Sequence, residues 1–213
     1  MIITELKSLE EITDAIKDYH NILIAACGGC TTVHKMGGRK EAEALKAALE
    51  KGKAKFDVTL VPRQCDRQMV ISALQPLIGK YDAVVSMGCG VGAQTIADAI
   101  GAKPTIPALN TKFIGMYDSK IEEFSEICKA CGKCIIFVYG GICPITRCAK
   151  SLLNGPCGGQ AHGKCEVGGW KIDCAWILIY TRLKAQGRPD EFKKFRPPWD
   201  FRTSNSPREL AAR

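Results

Sequence analysis

Twelve cysteines in 213 residues are the side chains most able to do chemistry in this chain. Eight of them crowd the second half: Cys128, Cys131, Cys134, Cys143, Cys148, Cys157, Cys165 and Cys174. The first three are spaced C-x2-C-x2-C, and Pro144 follows Cys143. One C-x2-C step lets a single turn of backbone aim two sulfurs at one centre. A second step adds a third sulfur, and the fourth must come from farther along the chain. That is the ligand logic of a cubane 4Fe–4S cluster, in which closely spaced thiolates and one distant thiolate hold the iron. The usual bacterial run puts three residues between the third Cys and the Cys-Pro, whereas eight intervene here, so the match is partial. Zinc also takes four thiolates, but eight cysteines would need two zinc ions or leave thiols idle. Disulfides suit a secreted domain. The opening MIITELKSLEE is charged and lacks an apolar leader-like stretch, so a cytoplasmic chain with reduced thiols is expected.

The other four cysteines, Cys27, Cys30, Cys65 and Cys89, depend on the elements that carry them. Ser8 with Glu11 three residues later reads as a capping box opening a helix to Tyr19. Asn21–Ala26 is a short apolar run of strand type ending in Cys27-Gly28-Gly29-Cys30. A helix is expected over Arg39–Lys51, a strand over Phe56–Val61 leading to Cys65, and a helix over Gln68–Leu77. Tyr81–Met87 reads as a buried strand running into Gly88-Cys89-Gly90-Val91-Gly92, then a helix over Ala93–Ile100 and a short strand over Pro104–Leu109. Alternating strands and helices predict an α/β fold: a parallel sheet flanked by helices, Rossmann-like, followed by a cysteine-rich metal-binding region. Ligands of such sheets sit outside the carboxyl ends of the strands. Three strand ends deliver Cys27 and Cys30, Cys65, and Cys89 there, a second four-thiol set built by the fold. The glycines beside them suggest backbone held against something bulky, with N–H groups free to bond sulfur. GCGVG also invites a nucleotide reading, but it lacks the full G-x-G-x-x-G span and follows the third strand, not the first.

Farther on, Glu122–Ile127 reads as a helix leading into Cys128, and Asp173–Ala185 as a helix closing on Gly187. The expected organisation is an α/β domain over 1–115, a cysteine-rich domain over 116–187, and an aromatic, basic tail over 188–213 that docks on this chain or a partner. A formal net charge of +8 counts every thiol as neutral, and clusters would lower it. No basic stripe interleaved with aromatics points to nucleic acid. No apolar run approaches a membrane span. Of His20, His34 and His162 only the last lies among the cysteines, as a solvent-facing loop residue. Without a credible acid–base pair, no substrate chemistry is expected on this chain alone, and no catalytic residue is assigned.

The segments Asn154-Gly155-Pro156-Cys157-Gly158-Gly159, Gly163-Lys164-Cys165-Glu166-Val167, and Cys174 with Trp176, Tyr180 and Arg182 resemble the C-terminal domain family associated with methylenetetrahydrofolate reductase. So does the upstream run from Cys128 through Gly141-x-Cys143-Pro144. The first half, with Ala26-Cys27-Gly28-Gly29-Cys30, GCGVG and Pro107-Ala108-Leu109-Asn110-Thr111, is similar to the rest of the small subunit of the two-subunit reductase of acetogenic bacteria. The resemblance implies an electron-transfer subunit with two or three 4Fe–4S clusters, one site remaining open to zinc. Its partner would be a flavin-containing TIM-barrel catalytic subunit. That partner would hold FMN and reduce 5,10-methylenetetrahydrofolate to 5-methyltetrahydrofolate in the reductive acetyl-CoA (Wood–Ljungdahl) pathway, with further electron-donor subunits in the complex. Twelve cysteines make three sets of four: Cys27, Cys30, Cys65 and Cys89; Cys128, Cys131 and Cys134 with one later thiolate; and the remaining four. The competing readings are a zinc-stapled scaffold without redox function, a self-contained oxidoreductase with a nucleotide at Gly88–Gly92, and, last, corrinoid methyl transfer.

Overall fold

Strands and helices alternate through the first half of the chain as the apolar spacing predicts. The structure is a computed structural model describing residues 1–50, 52, 54–101 and 103–211. It divides into two compact units, Met1–Phe113 and Ile114–Arg213. The first unit contains β1 (Ile2–Leu6), α1 (Leu9–Ile16), β2 (Asn21–Cys27), α2 (Cys30–Val33), α3 (Arg39–Leu49), β3 (Lys55–Val61), α4 (Arg67–Leu74), β4 (Ala83–Ser86), α5 (Gly90–Ile100) and β5 (Thr105–Pro107). Ser8 caps α1 by accepting from the Glu11 N–H at 3.1 Å. The sheet is four-stranded in the order β3-β2-β4-β5, with every pair parallel.

Parallel strands of this kind are buried on both faces, so they read as continuous apolar runs rather than alternations. In β2, Ile22, Ile24 and Ala26 pack with Ile12 and Ile16 of α1 and Leu45 and Leu49 of α3. The intervening Leu23 and Ala25 pack with Val70 and Leu74 of α4 and Ile96 of α5. Each such large aliphatic side chain contributes about 1.5–3 kcal/mol by leaving water. The chain leaves β2 for β3 on one side and reaches β4 on the other, so the order of connections reverses between β2 and β4. In open α/β sheets that reversal creates the crevice used for ligands.

Strand β6 (Leu109–Asp118) runs on into the second unit, where it pairs antiparallel with β7 (Glu123–Cys128). The helix expected over Glu122–Ile127 is therefore a strand. Its acidic-then-apolar order fits a helix locally, but pairing with β6 decides: Tyr117 and Phe124 face each other across the strands with ring centroids 4.9 Å apart. The second unit adds α6 (Pro144–Arg147), β8 (Gln160–Ala161), β9 (Lys164–Cys165) and α7 (Ala175–Ala185). Its core is one cluster around α7: Tyr139, Ile142, Cys174, Trp176, Ile179 and Leu183. Helix α7 ends as expected on Gly187 at φ +70°. The Arg188 N–H bonds the Leu183 carbonyl and the Gly187 N–H bonds that of Lys184, the two bonds of a Schellman ending. No helix among the described residues is long and apolar enough to cross a membrane.

Candidate metal centre

All twelve cysteines are free thiols. Among the described residues no group of three or more His, Cys, Asp or Glu side chains is already arranged to hold a metal ion. What the fold does is bring particular thiols to common places, and their surroundings test whether a thiolate-bound metal group suits them.

In the first unit Cys27 is the last residue of β2 and Cys89 caps α5 after β4, so both stand at the reversal between those strands. Cys65 follows β3 on an exposed turn, and Cys30 opens α2. Burial pushes the Cys65 thiol above its ordinary range, and negative charge on Cys89 and Cys27 pushes it the same way, so these three groups feel one another. The raised pKa keeps the Cys65 thiol protonated, and three thiolates would stand together there only with a cation between them. At the C-x2-C corner the Gly29 N–H donates to Cys27 Sγ at 3.4 Å.

The brace that aligns these ends escapes sequence reasoning. Gln64, fully buried, donates from Nε2 to the Ala25 carbonyl at 2.7 Å. Its Oε1 accepts from the Ser86 hydroxyl at 2.7 Å. The same Ser86 Oγ accepts from the Gly88 N–H at 3.2 Å. One side chain thus ties the ends of β2 and β4 to the residue beside Cys65. It also accounts for the glycines. A Cβ on Gly88 would stand 2.1 Å from Gln64 Oε1, and one on Gly92 would stand 2.7 Å from Gln64 Cβ. A Cβ on Gly28 would meet the Pro62 carbonyl at 2.8 Å. These glycines make room for protein rather than for a bulky ligand, and the Gly90 N–H is already bonded to Thr111 Oγ1 at 2.8 Å. The nucleotide reading of GCGVG loses its physical basis. His34 is a second missed anchor. Its Nε2 accepts from the Thr4 N–H at 3.2 Å, so the ring is neutral with the proton on Nδ1, which donates to the Cys30 carbonyl at 2.7 Å.

In the second unit Cys128 ends β7, and the Ala130 N–H donates to its Sγ at 3.4 Å, the same corner bond as at Cys27. Ala130 at φ +50° and Gly132 at φ +90° turn the backbone tightly between Cys128, Cys131 and Cys134. Cys143 caps α6, and Thr146 of that helix bonds the Ile127 carbonyl at 3.1 Å, which sets α6 against the Cys128 end of β7. Cys148, Cys157, Cys165 and Cys174 line one pocket together with Trp176. Three turns bring them there: the Gly155 region packed on the Trp176 ring, the His162–Gly163 turn between β8 and β9, and the start of α7 at Cys174. His162 is exposed in that hairpin at φ +50°, as a loop residue should be.

The surroundings fit a thiolate-bound metal group. Trp176 is 3% exposed, and its indole N–H finds no acceptor among the described residues. A sulfur ligand within reach of that N–H would supply one. Lys150 bonds Glu166, which chiefly raises its pKa, and the charge of Cys157 raises it further. Lys164 is spent on Asp173 at 2.6 Å, whereas Lys133 has no ionic partner among the described residues. A single six-residue core cluster with no disulfide is little to hold about 100 residues, and metal ligation is the usual remedy.

The tail is bound to its own unit. Asn154 exchanges two hydrogen bonds with the Arg196 backbone, Thr203 Oγ1 donates to the Cys131 carbonyl at 2.8 Å, and Arg208 reaches the Ala130 carbonyl. No curated protein and no solved structure matches the chain. Residues 106–202, which hold eight of the cysteines, match the family model described as methylene-tetrahydrofolate reductase C terminal.

Proposed function

We propose that this chain is the iron–sulfur electron-transfer subunit of a methylenetetrahydrofolate reductase, of the kind known as MetV in acetogenic bacteria. One observation carries the reading: within the segment that matches the reductase C-terminal family, Cys148, Cys157, Cys165 and Cys174 line one pocket together with Trp176, a residue whose indole N–H is buried and has no partner among the described residues. Clusters bound to the twelve cysteines would supply one-electron transfer. The chain's own residues would ligate, orient and tune. Cys148, Cys157, Cys165 and Cys174 form one set, Cys128, Cys131, Cys134 and Cys143 a second, and Cys27, Cys30, Cys65 and Cys89 a third. The N–H groups of Gly29, Ala130 and Trp176 would spread the thiolate charge and favour the reduced state. Electrons would pass to FMN on a flavin-containing, TIM-barrel catalytic subunit, where 5,10-methylenetetrahydrofolate becomes 5-methyltetrahydrofolate. No folate chemistry is assigned to this chain.

The test is anaerobic purification with and without that partner, followed by iron, sulfide and zinc analysis and a visible spectrum. Brown protein with about 12 iron, or about 8 iron and one zinc, is expected. Colourless protein holding zinc alone, after iron reconstitution has also failed, would overturn the reading and leave a zinc-stapled scaffold.

A further inference from the structure

Two ion pairs flank the cysteines that line the second unit's pocket, and they differ in what backs them. Lys164, next to Cys165, pairs with Asp173, next to Cys174, at 2.6 Å. Backbone bonds already join those two segments. The Cys165 N–H donates to the Ile172 carbonyl at 2.9 Å, and the Cys174 N–H to the Gly163 carbonyl at 2.8 Å. The second pair joins Lys150, just past Cys148, to Glu166, which follows Cys165. It has no such backing. Among the described residues Lys150 alone carries a hydrogen bond or ion pair from residues 144–153 to residues 157–168.

The Glu166 end of this pair is anchored. Its N–H donates to the Gly159 carbonyl at 3.1 Å, and its carboxylate lies over Gly159, where a Cβ would overlap it. Gly159 sits just past Cys157, and Lys150 itself lines the pocket with Cys148 and Cys157. One flexible cation thus reaches from the Cys148 segment to a carboxylate fixed between Cys157 and Cys165. We propose that Lys150 is a positioning residue of the four-cysteine site: paired with Glu166, it clasps the Cys148 segment to the turns bearing Cys157 and Cys165, so that the sulfurs stay at one centre. This rests on the reading that these four cysteines hold one metal group. Both side chains are partly exposed, and exposed ion pairs add little to folding. Groups that orient metal ligands nonetheless contribute strongly to metal retention. The clasp should therefore show in how fast metal leaves, with Tm hardly moved.

The test uses the full chain, loaded without oxygen with iron and sulfide or, in parallel, with zinc. Iodoacetamide in excess EDTA then modifies each cysteine as its metal leaves, and mass spectrometry follows Cys148, Cys157, Cys165 and Cys174 separately. Lys150→Met should speed modification of these four about tenfold. Gly159→Ala keeps every charge but displaces the Glu166 carboxylate, and should do the same. Lys150→Arg keeps the cation and should release metal as slowly as the parent. Lys164→Met removes an equal charge from the pair that backbone bonds duplicate, and should change the rate by less than about twofold. The clasp is overturned if Lys150→Met or Gly159→Ala releases metal as slowly as the parent. It is equally overturned if Lys150→Arg releases as fast as Lys150→Met, or if Lys164→Met does. Four cysteines modified equally fast in loaded and metal-free parent protein would overturn the metal reading, and the clasp with it. Protection in the parent that Lys150→Met leaves intact overturns the clasp alone.

Discussion

Replacing Gly88 by Ala should destabilise the first unit through Gln64, and removing Gln64 should abolish the cost. The new methyl carbon would lie 2.1 Å from Gln64 Oε1 and 2.9 Å from its Cδ, so the amide must leave its place. Leaving breaks the bond from Nε2 to the Ala25 carbonyl and the bond from Ser86 to Oε1, both inside the protein. Two buried groups left unmet cost about 2–5 kcal/mol together. The backbone at Gly88 is outside the left-handed region, so Ala gains roughly 0.4–1 kcal/mol from the unfolded chain. The net loss is about 2–4 kcal/mol, a fall in Tm of roughly 5–15 °C for a chain of this size. In Gln64→Ala the clashing atoms are gone, and the nearest remaining neighbour is Ser86 Oγ at an ordinary 3.4 Å. Gly88→Ala should then cost about nothing, giving a coupling of about 2–4 kcal/mol between two residues 24 positions apart. Thermal and denaturant unfolding of the four proteins, all in one metal state, measures it. Costs that add to within about 0.5 kcal/mol would refute the role of Gln64 as the brace between the strand ends.

With metal bound to the cysteines as proposed, stripping it should affect the two units unequally. With chelator, amides of α7 and the β8–β9 hairpin should lose hydrogen-exchange protection, while those of β2 and β4 keep theirs; equal loss in both would show that ligation does not support the thin second core. Tyr81 should titrate at about 12, because burial first and its hydrogen bond to Asp57 second disfavour the phenolate. A folded-state pKa raised above the unfolded value of about 10 gives stability that is complete below pH 10 and lost as pH rises towards 12. Tyr81→Phe should flatten that decline in denaturant titrations, and an unchanged slope would remove the assignment. Deleting residues 200–213 removes the bonds from Thr203 and Arg208 to the Cys131 and Ala130 carbonyls. Alkylation of Cys131 and Cys134 in metal-free protein should then quicken severalfold, and an unchanged rate would mean the tail does not order this loop.

The sheet is legible in the sequence because both of its faces are buried. NILIAAC and AVVS are apolar runs too short for helices, and the segments between them carry apolar residues at helical spacing. Parallel strands also explain why separations of 38 and 24 residues did not hide that Cys27, Cys65 and Cys89 follow strand ends on one side of the sheet: every carboxyl end emerges at the same edge. Gln64 is illegible for the opposite reason. A lone glutamine between Arg63 and Cys65 reads as loop, and only the approach of two strand ends in space encloses it. With Gln64 unseen, Gly88 and Gly92 point outwards to a ligand, when in fact they face inwards to a side chain.

The second half of the chain shows where local spacing stops informing. C-x2-C-x2-C declares itself because the loop that holds it is only a few residues long. The set Cys148, Cys157, Cys165 and Cys174 does not, since each member arrives on a different turn and no repeat connects them. What joins them is Trp176, whose ring packs against Gly155 so closely that a Cβ there would lie 2.4 Å from Cδ1. The glycine of Asn154-Gly155-Pro156 is thus a contact surface for one indole, and that indole lines the four-cysteine pocket. A variant that keeps the ring and removes the N–H, Trp176→Phe, separates the two duties. Packing should survive with little change in Tm, whereas the electron paramagnetic resonance of the reduced, iron-loaded protein should shift. An identical spectrum would show that the indole N–H bonds no ligand in the pocket.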